Sequence, residues 1–110
     1  MAHILVIENN PDAAALLGLQ LRHLGHDPVS ALSGHSFELA LVEPADERAL
    51  ARVRALRRER PNLPLLFVSI APPSPETAAL RPIAHLVKPV RLAVFDLVLS
   101  RALRPPPLRV

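Results

Sequence analysis

The chain has no cysteine, tryptophan or tyrosine, and only three glycines and one lysine among its 110 residues. Without cysteine there is no disulfide scaffold, no thiolate zinc site and no cysteine nucleophile. His3, His23, His26 and His35 show no metal-ligand spacing. The aromatics are Phe37, Phe67 and Phe95, all in apolar context, so no basic surface interleaved with aromatics points to nucleic acid. No apolar run approaches 18 residues, which excludes a membrane-spanning helix. The early run Ile4 to Ile7 ends at Glu8 and follows no basic region, so no signal peptide is read and the expected compartment is the cytoplasm. There is no Ser/His/Asp triad, P-loop or dinucleotide glycine pattern, and the chain is not expected to be an enzyme.

What is present is leucine (21), alanine (16), arginine (12) and proline (13). Half the residues are hydrophobic, enough for one domain with a core. Leucine and alanine favour helix, and the prolines cut the chain into short elements. The formal charge is +3, and residues 46–60 carry all of the excess, with six arginines against three acids. On a helical wheel Arg48 and Arg52 flank the apolar stripe on one side and Arg54 and Arg58 on the other, which reads as a solvated outer face.

His3-Ile-Leu-Val-Ile7 is an apolar run of strand length, as in a strand covered on both faces. Asn10-Pro11 reads as an N-cap and first helical residue, with a helix to about Leu24 and a stop at Gly25. Its apolar stripe is Ala13, Leu17, Leu21 and Leu24. Residues 28–32 suggest a short edge strand, because of Pro28. Leu39–Val42 is a third strand. Asp46–Arg60 is a second helix with Leu50, Val53 and Leu56 inward. Leu65–Ser69 is a fourth strand, and prolines leave only a turn or two of helix near Glu76–Leu80. Ala84–Val87 is a fifth strand and Arg91–Arg104 a last helix. Pro105–Val110 is a proline-rich tail after a single domain of residues 1–104. Alternating strands and helices predict an α/β fold with a parallel sheet.

In such sheets chemistry collects at the carboxyl ends of the strands. Those ends carry Glu8-Asn9-Asn10, Glu43, Ser69 and Lys88-Pro89. Two carboxylates, a hydroxyl and the only lysine therefore share one rim.

The order of "ILVIENNPD", "FELALVEP", "PLLFVSIA" and "HLVKP" resembles the receiver domain of response regulators, the phosphoacceptor module of two-component signalling in bacteria. The likeness covers about residues 3–104. It implies a doubly wound, flavodoxin-like sheet of five parallel strands in order 2-1-3-4-5. It also implies that Glu43 stands at the phosphoacceptor position, Glu8 and Asn9 at the acidic pair, and Ser69, His85 and Lys88 at the switch positions. The Lys88–Pro89 bond is then expected to be cis.

The departures from the family pattern carry most of the functional reading. Glu43 replaces the usual aspartate and lengthens its reach by one methylene, about 1.5 Å at most, where a misplacement of ~1 Å can cost ~100-fold. Asn9 removes a charge from the magnesium site, so Mg²⁺ binding is expected to be weak or absent and no other cofactor or metal is implied. Glu43 can instead reach Lys88, an ion pair worth about 0–1 kcal/mol if exposed, holding the rim in one state without phosphate. Ser69 reads as a switch hydroxyl or a plain strand-end hydroxyl. His85 reads as a partly buried edge histidine or a contact residue with pH-sensitive charge.

Ser33–Glu38 spans at most ~20 Å, too little for the second helix of the family, so that helix is expected to be shortened or missing and one sheet face thinly covered. The last helix has an apolar arc of roughly 180°, where about 100° suffices for burial. Val94, Leu97, Val98 and Arg101 are therefore expected at a homodimer interface. The expected function is a phosphorylation-independent pseudo-receiver that binds a protein partner: a kinase, a regulator or itself. The competing readings are a weak residual phosphoacceptor with Mg²⁺-dependent phosphotransfer, and a basic nucleic-acid-binding domain.

Overall fold

A computed structural model of the chain describes residues 2–30, 34, 36–44 and 46–103. Five strands and four helices follow one another as β1 (His3–Ile7), α1 (Pro11–His23), β2 (Asp27–Val29), β3 (Leu39–Val42), α2 (Glu47–Glu59), β4 (Leu65–Ser69), α3 (Pro75–Ala78), β5 (Ala84–Val87) and α4 (Leu92–Ala102). All strand pairs are parallel and the order is β2-β1-β3-β4-β5, so β2 and β5 are the edges. The doubly wound sheet expected from the sequence is the observed one.

Alternation along each strand divides the core into two layers. Leu5, Ile7, Ala40, Val42, Leu65 and Phe67 face α2 and the turn after α3, where Ala49, Val53 and Leu80 meet them. Ile4, Leu39, Leu41, Leu66 and Val68 face α1 and α4, where Leu17, Leu21, Phe95 and Leu99 meet them. β3 and β4 are buried along their whole length, because each is flanked by strands and covered on both faces.

Helix boundaries follow local chemistry. The Asn10 side chain accepts from the Asp12 and Ala13 amides and starts α1, and Gly25, at φ +87°, lets the chain turn after it. Asp46 caps α2 by accepting from the Ala49 amide. Ser74 and Thr77 form a reciprocal cap on the single turn of α3. In α4 the buried residues are Phe95 and Leu99, whereas Leu92, Val94 and Leu97 stay exposed.

Three expectations are modified. β2 starts at Asp27, one residue before the expected strand, with Pro28 paired opposite Ile4 on the sheet edge. Ala49 joins Val53 as a fully buried residue of α2, while Leu50 and Leu56 are only partly buried. The face beside β1 is also better covered than the short crossover suggested. Leu5, Ile7 and Val29 are buried, Phe37 packs against them from the crossover, and Arg60 lies 4.8 Å over its ring while donating to its carbonyl at 2.9 Å. None of residues 30, 34 and 36–38 is helical. Residues 31–33 and 35, which hold the end of the expected strand and part of the crossover, lie outside the described residues, as do Arg104 and the tail 105–110.

Arg57 departs from the solvated outer face read for α2. Its guanidinium donates to the carbonyls of Leu63 at 2.7 Å, Pro61 at 2.9 Å, Leu80 at 3.0 Å and Arg81 at 3.2 Å. Burial, with the nearby Arg81 charge, holds its pKa below the ordinary arginine value. It ties the end of α2 to the approaches of β4 and β5.

Candidate functional site

Parallel strands bring their carboxyl ends to one rim. The ladder continues past β3 and β5, where the Glu43 amide donates to Ile7 and the Lys88 amide to Ser69, and this orients both side chains. Glu43 is 5% exposed. Its Oε2 lies 3.1 Å from Lys88 Nζ, and the Lys88 side chain is 31% exposed. No directed hydrogen bond reaches either Glu43 oxygen from the described residues, so the contact is an ion pair by distance rather than an aligned hydrogen bond. A buried carboxylate held by one half-buried ammonium depends heavily on that single charge.

The other two members of the expected acidic pocket face other partners. Glu8 Oε1 accepts from the Asn10 amide at 2.9 Å, and Glu8 borders a groove between α1 and β2. Asn9 Nδ2 donates to both oxygens of Asp46, at 2.9 and 3.2 Å. Asp46 Oδ1 also takes the Ala49 amide at 2.8 Å. The Ala49 amide, then Asn9, hold the Asp46 carboxyl below its ordinary pKa near 3.8. Asn9 is thus a strut from the end of β1 to the start of α2, where an aspartate would put two carboxylates against each other.

Ser69 and His85 converge on one residue. Ser69 Oγ accepts from the Ala71 amide at 3.1 Å, and His85 Nε2 lies 3.0 Å from the Ala71 carbonyl. A carbonyl only accepts, so Nε2 carries the proton of this bond. The His85 ring stands edge-on to Phe67 at 5.9 Å. With Ala71 held on both sides, Ile70 projects outward and is 79% exposed. Beside it runs an apolar groove of about 480 Å³, lined by Leu16 and Leu17 of α1, Val68, Ile70, Lys88, Pro89 and Val90. The Lys88–Pro89 bond is cis. Among the expected interface residues, Val94, Leu97 and Arg101 are exposed and Val98 is half-buried.

A magnesium ion needs several oxygen ligands in octahedral array. The residues at the positions the family likeness gives to the metal are each turned to another partner. Glu8 is engaged with Asn10, Asn9 presents its amide nitrogen to Asp46, and Glu43 is turned to Lys88. Among the described residues no three His, Cys, Asp or Glu side chains are placed to hold a metal together.

The sequence reading missed Asp46 as the partner of Asn9, and missed Arg57 and Ile70. Asp46 was read only as the start of the second helix, and nothing in its spacing tied it to a residue 37 positions earlier. Among the described residues no helix is long and apolar enough to cross a membrane.

No protein-family model matches the sequence, and no curated protein matches it. Solved structures do match. A sensor protein from Polaromonas sp. JS666 is 27% identical, with a TM-score of 0.73 over 91% of this chain and 94% of its own. The chemotaxis protein CheY4 of Vibrio cholerae is 20% identical, with a TM-score of 0.78 over 94% of this chain and 99% of its own. The non-phosphorylated HemR receiver domain from Leptospira biflexa is 16% identical, with a TM-score of 0.77 over the full length of both chains. Together with the strand order and the shared rim, these likenesses show that the chain has the fold of a response-regulator receiver domain.

Proposed function

We propose that the chain is a protein-interaction module of two-component-type signalling whose rim is held in one state without phosphate. The observation that carries this reading is the Glu43–Lys88 pair, 3.1 Å apart with Glu43 buried. In a phosphorylatable receiver a carboxylate at this place must meet a donor and a metal. Here it sits behind the only lysine of the chain, beside Glu8 and Asn9, which are turned to Asn10 and Asp46. Ser69 and His85 are both engaged with Ala71, so the groups at the switch positions already have partners within the chain.

The surface this arrangement holds out is apolar: Ile70 and Leu16, 79% and 57% exposed, flank the groove at the rim. Exposed apolar patches of this kind mark protein contacts. The arginines of α2 and of the residue that follows it offer less to nucleic acid than their number suggests. Arg57 is tied to carbonyls, Arg60 covers Phe37, and Arg54 pairs with Glu47.

Acetyl phosphate with Mg²⁺, followed by intact mass, tests the reading. The expected result is no gain of a phosphoryl group under conditions that load a phosphorylatable receiver run alongside. A gain of one phosphoryl group on Glu43 at a comparable rate overturns it and establishes the residual phosphoacceptor instead.

A further inference from the structure

We propose that the outer face of α1 docks a second copy of this chain, the two helices lying antiparallel about a two-fold axis over residue 17. α1 buries Leu17, Gly18 and Leu21 against the rest of the fold. Its opposite face is not uniformly polar. Leu16 and Leu19 stand there at 57% and 62% exposure, beside exposed Ala15. Contiguous exposed apolar side chains of this kind mark a contact. Asp12 closes one end of the face, in the first turn, and Arg22 and His23 close the other, in the last turn. All three are exposed, and none of them makes an ion pair among the described residues.

This order of charge and apolar side chains is complementary to itself. A helix laid antiparallel on α1 must offer a base opposite Asp12, apolar side chains opposite Leu16 and Leu19, and an acid opposite Arg22. A second α1 meets all three requirements. Residue 17 lies midway between Asp12 and Arg22, and also midway between Ala15 and Leu19. A two-fold axis over it brings Asp12 to the partner's Arg22 and Ala15 to the partner's Leu19, and symmetry makes each contact twice. A parallel pair would instead set acid beside acid and base beside base. The helix has 13 residues and is about 20 Å long, so the contact is small for a specific interface. It is expected near about 100 µM, above the micromolar range expected for the last helix. Leu16 also lines the groove beside Ile70, so the pairing closes one side of that groove to any other partner. Neither Glu43 nor Lys88 takes part, and the contact stands or falls apart from the held rim.

Sedimentation over about 10–500 µM tests the proposal, a range set by the small size of the contact. The parent is the whole chain carrying Leu97→Arg, which breaks the contact expected at the last helix and leaves α1 unchanged. Its expected behaviour is a monomer that becomes a dimer across this range. Asp12→Lys sets two bases together at each end of the contact, and Arg22→Glu sets two acids together. Each alone is expected to weaken the dimer by about tenfold or more. An equimolar mixture of the two variants restores opposite charges at both ends and is expected to dimerise as the parent does. Ala15→Cys and Leu19→Cys, in a chain with no other cysteine, read the register. Mixed and oxidised, they are expected to join position 15 to position 19 in preference to either like pair. If a charge variant is not folded by circular dichroism, the cysteine pair decides alone. A parent that stays monomeric at the top of the range, single variants that dimerise like it, a mixture no tighter than its components, or disulfides without that preference overturn the proposal.

Discussion

At the scale of single residues, the pair Glu43–Lys88 is asymmetric. Glu43 is almost wholly buried and Lys88 is a third exposed, so losing one partner does not cost the same as losing the other. Lys88→Met leaves a buried carboxylate without a cation and is expected to destabilise by about 2–3 kcal/mol, below the full buried-pair cost because water reaches the lysine side. Glu43→Gln leaves an ammonium that can turn to solvent and is expected to cost under about 1 kcal/mol. Adding Glu43→Gln to Lys88→Met is expected to recover most of the loss, and urea midpoints of the four proteins measure the coupling. Asp46 gives a second residue-scale expectation. Its folded pKa lies below the ordinary value near 3.8, so the folded state binds its proton less readily than the unfolded one. The stability this contributes is present above the unfolded pKa and is lost as the pH falls below about 4 toward the folded value. Asp46→Asn keeps a helix cap and is expected to flatten that acid limb in thermal melts recorded from pH 5 to pH 2.5.

At the scale of elements, short helices are held by few groups, and each group counts. Arg57 gathers the carbonyls of Leu63, Leu80 and Arg81, and so joins α2 to the turns that feed β4 and β5. Arg81 sits in the left-handed region at φ +56°, a conformation uncommon outside glycine, and its carbonyl is one of those that Arg57 meets. Arg57→Met keeps the apolar stem and is expected to destabilise by about 2 kcal/mol, since charge-assisted hydrogen bonds to partly buried carbonyls are lost. Arg58→Met, one residue away on the exposed side, is expected to change stability by less than about 0.5 kcal/mol, and the urea midpoints of the two variants make the comparison. The arginine-rich composition of this segment did not reveal which guanidinium turns inward. That depends on where β4 and α3 begin, and no periodicity within α2 reports it.

For the whole molecule, the last helix remains the expected site of self-association. Phe95 and Leu99 satisfy its contact with the sheet, leaving Val94 and Leu97 at 42% and 51% exposure beside the edge strand β5, where Ile83 and Val87 are also exposed. A second copy related by a two-fold axis would cover this surface. The expected outcome of sedimentation velocity at micromolar concentration is a dimer, split by Val98→Arg and by Leu97→Arg. A clean monomer would remove the expectation, and dimers in both variants would place the interface elsewhere, with the groove between Leu16 and Ile70 as the next candidate.

The sequence alone determined the sheet and its order, because fully apolar runs of strand length separated by capped helices leave few alternatives, and the family likeness supplied the order 2-1-3-4-5. It also determined that Glu43, Ser69 and Lys88 share a rim, since parallel strands all end on the same side. Tertiary structure decided what those groups do there. The burial of Glu43, the turn of Asn9 toward Asp46 and the joint hold of Ser69 and His85 on Ala71 join residues between 2 and 45 positions apart. Such contacts depend on the reach and direction of side chains after packing, and a linear pattern carries only their chemical types. The same limit applies to Phe37, which covers the sheet beside β1 because the crossover brings it there and Arg60 closes over it.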